Sequence, residues 1–187
     1  MSESFHFTKE KWGITKDKKL LETPIFSLHE KVMKPQNSDA RPSFYVLNAP
    51  EWINIIALTP EKEIVLVEQY RAGIDRLTLE LPGGMVDAGE SAEAAAKREM
   101  LEETGYSSEK WSYLGKVSSN PAILSNYTHL YLAEASEKPA QQHTEGNEDI
   151  AVHTMPLDRF LGLVSDGTVH HAIVVAAVAQ FLLHKRS

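Results

Sequence analysis

The segment from residue 84 to residue 106 constrains this chain most, because it predicts an acidic helix with a definite start and stop. Residues 91–104 contain four alanines, which favour a helix, and Gly105 is a typical stop just beyond them. Strand-like runs lie on both sides of this helix. A helix between strands favours an α/β or α+β architecture over an all-helical or all-strand one.

The other elements are predicted from apolar patterning and turn residues. Partly alternating segments bounded by Pro, Asn, Lys and Glu indicate strands, and Thr59-Pro60-Glu61-Lys62 is predicted to turn between two of them. Strands are expected at residues 24–33, 43–47, 53–58, 63–68, 77–81, 112–117, 128–133 and 150–155, with later helices at 157–164 and 171–183.

Charge and composition exclude several classes of function. Lys and Arg number 19 against 26 Asp and Glu, a net charge of −7, so neither a nucleic-acid partner nor an anionic membrane is expected. The absence of cysteine excludes disulfides, thiolate metal sites and a cysteine nucleophile. Residues 172–183 form the longest nearly apolar run, too short for the roughly 20 residues of a membrane span, and residues 1–11 lack a secretory pattern. We therefore expect a cytoplasmic chain.

Three glutamates of the predicted helix share one face. Glu99, Glu102 and Glu103 are spaced i, i+3 and i+4, where like charges destabilise a helix by roughly 0.2–0.5 kcal/mol per pair. They also lie near the helix C-terminus, where the macrodipole disfavours anions. Clustered hard oxygen ligands suit Mg²⁺ or Mn²⁺. The alternative is a Glu-rich, Ala-rich helix whose acidic face is merely solvated.

The whole segment resembles the Nudix box of the Nudix hydrolases, G-x5-E-x7-R-E-U-x-E-E-x-G-U, where U is a bulky apolar or aromatic residue. The resemblance implies an α/β/α sandwich with a mixed sheet, and cleavage of nucleoside diphosphates linked to another moiety. It implies Glu99 and Glu103 as the main Mg²⁺ ligands, assisted by Glu102 and the carbonyl of Gly83, with Arg98 orienting the carboxylates. The box positions are filled without a mismatch by Gly84, Glu90, Arg98, Glu99, Met100, Glu102, Glu103, Gly105 and Tyr106.

Residues 66–90 are similar to the corresponding segment of ADP-ribose and nucleoside-diphosphate-sugar pyrophosphatases. The resemblance implies that Arg71 contacts a substrate phosphate; an ordinary strand-end arginine is the alternative. Pro121 lies where ADP-sugar pyrophosphatases carry a proline, although a plain loop proline is equally compatible. Ala122 and Asn126 replace the Gly and Glu usual in ADP-ribose enzymes, so a different sugar such as that of GDP-mannose stays open.

The general base in this branch is a glutamate on a mobile loop before a late strand. Glu145 is our first candidate for that base and Glu148 the second, and an acidic, solvated loop is the alternative interpretation.

Residues 1–48 resemble the strand-rich extension through which such enzymes form intertwined homodimers, leaving residues 49–187 as the Nudix domain. That likeness implies that Phe26 stacks on the base, unless it is a core residue, and that Arg41 reaches a phosphate from the partner copy.

The expected activity is Mg²⁺-dependent hydrolysis of a nucleoside diphosphate sugar, ADP-ribose or a relative, to a nucleoside monophosphate and a sugar phosphate. Two alternatives stay open: a Nudix enzyme for dinucleoside polyphosphates or nucleoside triphosphates, and a non-catalytic Nudix module that senses a nucleotide.

Overall fold

The computed structural model describes residue 5, residues 7–143 and residues 149–185. Two compact units are present: the residues up to Ala49 together with Asn120–Ser125, and Pro50–Ser119 together with the residues from Asn126 onward. The elements are β1 (Gly13–Glu22), β2 (Ser27–Lys34), β3 (Ser43–Asn48), β4 (Trp52–Leu58), β5 (Glu63–Arg71), β6 (Arg76–Glu80), α1 (Ala92–Thr104), β7 (Lys110–Val117), β8 (Thr128–Glu134), β9 (Ile150–Pro156), α2 (Leu157–Ser165) and α3 (Ala172–His184).

The first unit is an antiparallel sheet in the order β1-β2-β3. Segment 120–125 joins the edge of this sheet, where the Leu47 N–H donates to the Ile123 carbonyl at 2.8 Å and the Ser125 N–H donates to the Leu47 carbonyl at 3.1 Å. Strand β1 was not predicted. Every residue of β1 is exposed, so its sequence lacks the half-buried alternation by which strands are recognised.

The second unit is built on a mixed sheet in the order β6-β5-β4-β8-β7, with β9 paired to β5. Strands β4 and β8 run parallel, while β5 pairs antiparallel with β4, β6 and β9. The predicted turn between β4 and β5 is confirmed. There the Lys62 N–H donates to the Thr59 carbonyl at 2.9 Å, and Lys62 adopts a φ of 64°.

Helices cover both faces of this sheet. On one face, Ile56 and Leu66 of the sheet pack with Phe160 of α2 and with Phe181 of α3. On the other face Ile53, Ile55 and Val65 pack against α1 through Ala95, Ala96 and Met100. Burying one such large apolar side chain contributes roughly 1.5–3 kcal/mol, so both layers are firmly attached. The predicted α/β/α sandwich is confirmed.

No helix within the described part of the chain is both long and apolar enough to cross a membrane.

Candidate functional site

Helix α1 is fixed at both ends, which sets the positions of its glutamates. The Ser91 hydroxyl accepts the Ala94 N–H at 3.1 Å, so Ser91 caps the start. Gly105 ends the helix with a φ of 74°, and its N–H donates to the Leu101 carbonyl at 2.8 Å. A Cβ at Gly105 would lie 2.4 Å from the Ala140 carbonyl oxygen, so both conformation and space require glycine there.

The loop before α1 passes directly against two of the glutamates. The Gly83 N–H donates to Oε2 of Glu103 at 2.9 Å. A Cβ on Gly84 would lie 2.4 Å from the carboxyl carbon of Glu99, and one on Gly83 would lie 2.4 Å from the Ile53 carbonyl oxygen. Both glycines are therefore needed for the loop to approach this closely.

Arg98 lies at the centre of a cluster with Glu90, Glu99 and Glu102, which we call the Arg98 cluster. Its NH1 donates to Glu99 Oε1 and to Glu102 Oε2, both at 2.9 Å. Its NH2 and Nε donate to the two carboxylate oxygens of Glu90 at 3.0 and 3.2 Å. The hydrogen bond to Glu90, followed by those to Glu102 and Glu99, raises the pKa of Arg98 far above its usual range. One guanidinium thus hydrogen-bonds to three carboxylates, and a fourth, that of Asp87, lies 3.8 Å from NH2.

Glu103 stands beside this cluster and is buried, with 4% of its surface exposed. The structure therefore brings together all of the predicted metal ligands, Gly83, Glu99, Glu102 and Glu103, and also Arg98. They do not converge as a finished coordination sphere: within the described residues no three His, Cys, Asp or Glu side chains are placed so that they could hold a metal ion. Glu99 and Glu102 are turned toward Arg98, and Glu103 toward the Gly83 amide.

Arg71, at the end of β5, has a buried partner that the sequence analysis missed. Its Nε and NH2 donate to Oε1 and Oε2 of Glu80, each at 2.7 Å. The Thr78 hydroxyl donates to the same Oε1 at 2.6 Å, and Nε2 of His171 lies 3.9 Å from Oε2. Burial raises the pKa of Glu80, but the hydrogen bonds from Arg71 and Thr78 outweigh it, and the net pKa lies below the usual value.

The alternation of residues 77–81 predicted the opposite exposure for this partner, although one indication of it was available. Residues 77–81 alternate Leu with Thr and Glu, which ordinarily predicts that the leucines are buried and the polar residues exposed. The structure shows Leu77 62% exposed, whereas Thr78 is 6% and Glu80 2% exposed. A glutamate between leucines, opposite a strand that ends in arginine, was the available indication.

The remaining predicted residues are spread over the chain. Glu145 and Glu148 lie outside the described residues. Phe26, Arg41 and Pro121 all belong to the first unit. Phe26 is half-buried in the turn between β1 and β2; Arg41 is exposed and donates to the carbonyls of residues 39 and 40; Pro121 is exposed.

Asn126, which stands where ADP-ribose enzymes usually carry a glutamate, is buried. Its side-chain amide donates to the Pro50 carbonyl at 2.7 Å, and 3% of its surface is exposed. This side chain therefore supports the start of β4.

Comparison with known proteins gives consistent matches. The family model of the NUDIX domain matches residues 51–178. A methanol dehydrogenase activator from Bacillus methanolicus is 30% identical over 141 residues, covering 75% of this chain and 76% of that protein. An ADP-ribose pyrophosphatase from Bacillus subtilis is 29% identical over 143 residues, covering 76% and 77%. A crystal structure of an ADP compounds hydrolase matches with a TM-score of 0.80 over 96% of both chains, at 22% identity, which supports the shared fold.

Proposed function

This chain belongs to the Nudix family, and on that premise we propose that it hydrolyses the diphosphate bond of a nucleoside diphosphate sugar. ADP-ribose and GDP-mannose are the substrates we consider, with a nucleoside monophosphate and a sugar phosphate as products. The observation that carries the proposal is the surplus of carboxylates around Arg98, held against the Gly83-Gly84 loop. The ADP-ribose pyrophosphatases among the relatives support the substrate class.

Nudix pyrophosphatases generally use divalent metal ions, and the donor set here suits Mg²⁺ or Mn²⁺. We assign as ligands the carboxylates of Glu99, Glu102 and Glu103 and the carbonyl of Gly83. All are oxygen donors, and the missing Cβ of Gly84 leaves room beside the Glu99 carboxylate. When bound, such an ion would neutralise charge on the diphosphate and lower the pKa of an attacking water.

The protein's own side chains supply orientation and proton transfer. Arg98 holds the carboxylates of the Arg98 cluster in place, and Arg71 binds a phosphate of the substrate. A glutamate takes a proton from the attacking water while the water oxygen bonds to phosphorus and the bridging P–O bond breaks. We assign this role to Glu145, with Glu148 as the second candidate.

The proposal also assigns roles to residues of the first unit. We assign residues 1–48 to homodimer formation, with Phe26 stacking on the nucleobase and Arg41 and Pro121 contacting the substrate. We propose the cytoplasm as its compartment and small-molecule nucleoside diphosphate sugars as its ligands.

A substrate panel tests this function. The protein is incubated with Mg²⁺ and nucleoside diphosphate sugars, dinucleoside polyphosphates or nucleoside triphosphates, and products are separated by ion-exchange chromatography. The proposal expects a nucleoside monophosphate and a sugar phosphate, mainly from the diphosphate sugars. Preferential cleavage of the other two classes would contradict the substrate, and tight binding without turnover would indicate a nucleotide sensor.

Two matched variants on α1 test the metal assignment. Glu103→Gln removes a proposed ligand and should lower kcat by more than the roughly 10–100-fold typical of residues outside the ligand shell. Glu93→Gln, an exposed residue paired with Lys97 on the same helix, should leave activity unchanged. Circular dichroism should show both variants folded. If Glu103→Gln unfolds the chain, the carboxylate is structural and the assignment is wrong.

A further inference from the structure

Glu80 carries a buried carboxylate that accepts hydrogen bonds from two neighbouring side chains. Both of its oxygens receive hydrogen bonds from Arg71, and Oε1 also receives the Thr78 hydroxyl. Only 3% of the Glu80 side chain is exposed, whereas 42% of the Arg71 side chain is exposed. The carboxylate is therefore sealed within the protein, while the guanidinium it holds reaches the surface.

The contact fixes the direction of the arginine. A guanidinium is planar, and two parallel hydrogen bonds to one carboxylate define both its position and its plane. Because Glu80 takes the edge formed by Nε and NH2, the direction of the remaining nitrogen, NH1, is set as well. An arginine on a strand end would otherwise sample many rotamers, and binding a phosphate would have to immobilise it.

One neighbour besides Arg71 donates a hydrogen bond to Glu80, and a second lies close by without a hydrogen bond. The Thr78 hydroxyl donates at 2.6 Å from the same strand, and His171 lies 3.9 Å away at the start of α3. The carboxylate thus has its own supports and does not depend on Arg71 alone for its conformation. Such an arrangement pre-organises the arginine before any ligand is present.

We propose that Glu80 is a positioning residue that orients Arg71 for contact with a phosphate of the substrate. This inference rests on the proposed function, in which Arg71 is the phosphate ligand. A purely structural salt bridge between β5 and β6 would stabilise the hairpin without affecting how substrate binds. The two roles differ in whether the effect of Glu80 depends on Arg71.

A double-mutant cycle separates the positioning role of Glu80 from a purely structural role. KM and kcat for the diphosphate sugar are measured for Glu80→Gln, Arg71→Ala and the double variant. Glu80→Gln should raise KM about tenfold with a smaller change in kcat, within the range found for residues in direct contact. In the Arg71→Ala background the same change should alter KM less than twofold. Glu68→Gln, also on the β5–β6 hairpin but paired with His153 at the surface, is the matched control and should behave as wild type.

A second variant guards against misfolding of Glu80→Gln. Thr78→Val removes the hydroxyl that donates to Glu80 at 2.6 Å and that also lies 3.3 Å from the Gln69 carbonyl. It should raise KM about threefold in wild type and not in the Arg71→Ala background. Thermal melting of every variant identifies those that fold. An equal rise in KM in both backgrounds, for either variant, would overturn the positioning role.

Calorimetric titration with ADP, and with GDP, distinguishes failure of this inference from failure of the proposed function. The same cycle, measured as ADP affinity, needs no turnover. Absent hydrolysis with an intact binding cycle overturns the proposed function alone. A loss of ADP affinity on Glu80→Gln that is equal with and without Arg71 overturns the positioning role alone. A wild-type protein that binds neither ADP nor GDP in this titration overturns both.

Discussion

Two arginines of the second unit bind carboxylates at similar distances, but they differ in the number of carboxylates that each one binds. Arg71 meets one carboxylate, that of Glu80, in a two-pronged contact at 2.7 Å. Arg98 meets three carboxylates at 2.9 to 3.2 Å. Formal charges cancel in the first contact. In the second, one positive charge faces the three carboxylates that it hydrogen-bonds and that of Asp87 at 3.8 Å. The Arg98 cluster is therefore short of positive charge, and the Arg71 pair is not.

The carboxylates of the two contacts also differ in how much of each side chain is exposed. The Glu80 side chain is 3% exposed, whereas those of Glu99 and Glu102 are 17% and 30% exposed. A buried pair must be complete within the protein, because an unpaired charge there is costly. A partly exposed surplus of negative charge can be neutralised by cations from solution. We interpret the first contact as a fixed support and the second as a site that accepts a cation.

The sharpest test of this difference replaces each arginine by alanine. Removing one partner of a fully buried pair costs about 3–5 kcal/mol, and Arg71→Ala should cost somewhat less because the arginine is partly exposed. Arg98→Ala should also destabilise, by about 1–3 kcal/mol. Millimolar Mg²⁺ should restore part of the loss for Arg98→Ala and none for Arg71→Ala, measured by urea unfolding.

Potassium chloride serves as the control for that measurement. Potassium at matched ionic strength should restore less than Mg²⁺, since screening alone does not require a specific site. Equal restoration of the two variants by Mg²⁺ would mean that the clusters do not differ as described.

The two adjacent glycines allow a finer test. In Gly84→Ala the new Cβ meets the flexible end of Glu99, so the fold should persist while activity falls about tenfold or more. In Gly83→Ala the Cβ meets the backbone carbonyl of Ile53, which cannot yield as easily, so stability should fall by about 1–3 kcal/mol. Melting temperatures and kcat of both variants check this. A stable, fully active Gly84→Ala would show that Glu99 need not stay where the structure places it.

Acid should begin to affect the surroundings of Glu80 at a higher pH than the Arg98 cluster. Burial lowers the pKa of His171 below its ordinary 6.5, with Glu80 opposing this and Arg71 and His170 reinforcing it. The folded protein therefore binds this proton less readily than the unfolded chain, and stability present above pH 6.5 is lost as the pH falls below it. Hydrogen bonding to Arg98 lowers the pKa of Glu90 below 4.5, so its contribution is lost only below pH 4.5.

Urea unfolding between pH 7.5 and 5 measures the loss of stability that comes from His171. For one titrating group, the free energy of unfolding cannot change by more than about 1.4 kcal/mol per pH unit. His171→Gln should flatten the dependence in this range. An unchanged slope would show that another group is responsible.

The sequence was sufficient for the parts of the fold in which local pattern and burial agree. Helix α1 was predicted at 91–104 and is observed at Ala92–Thr104 with Ser91 as its cap, because alanine content, cap and stop residue all favour the same bounds. The Nudix family and the enzyme class were recognised from the box, and both are confirmed. The same resemblance implied that the Gly83 carbonyl joins Glu103 as a metal ligand, which stays a prediction. The hydrogen bond from the Gly83 N–H to Glu103 was not predicted.

The sequence was insufficient where long-range contact decides. Strand β1 is held by pairing to β2 and has no buried face to mark it. Glu80 is buried because Arg71, nine residues earlier, neutralises it across a hairpin, and alternation alone indicated the opposite exposure. The roles of all the predicted site residues remain predictions: Gly83, Glu99, Glu102 and Glu103 as metal ligands, and Arg98, Arg71, Glu145, Glu148, Phe26, Arg41 and Pro121.

The pairing of segment 120–125 with β3 affects how this protein can be shortened. A truncation at the predicted boundary, residue 48, would remove Leu47 and strip two backbone hydrogen bonds from a segment that lies more than seventy residues downstream. Engineering a minimal catalytic fragment would thus require a second edit, a shorter connection between β7 and β8, made together with the first.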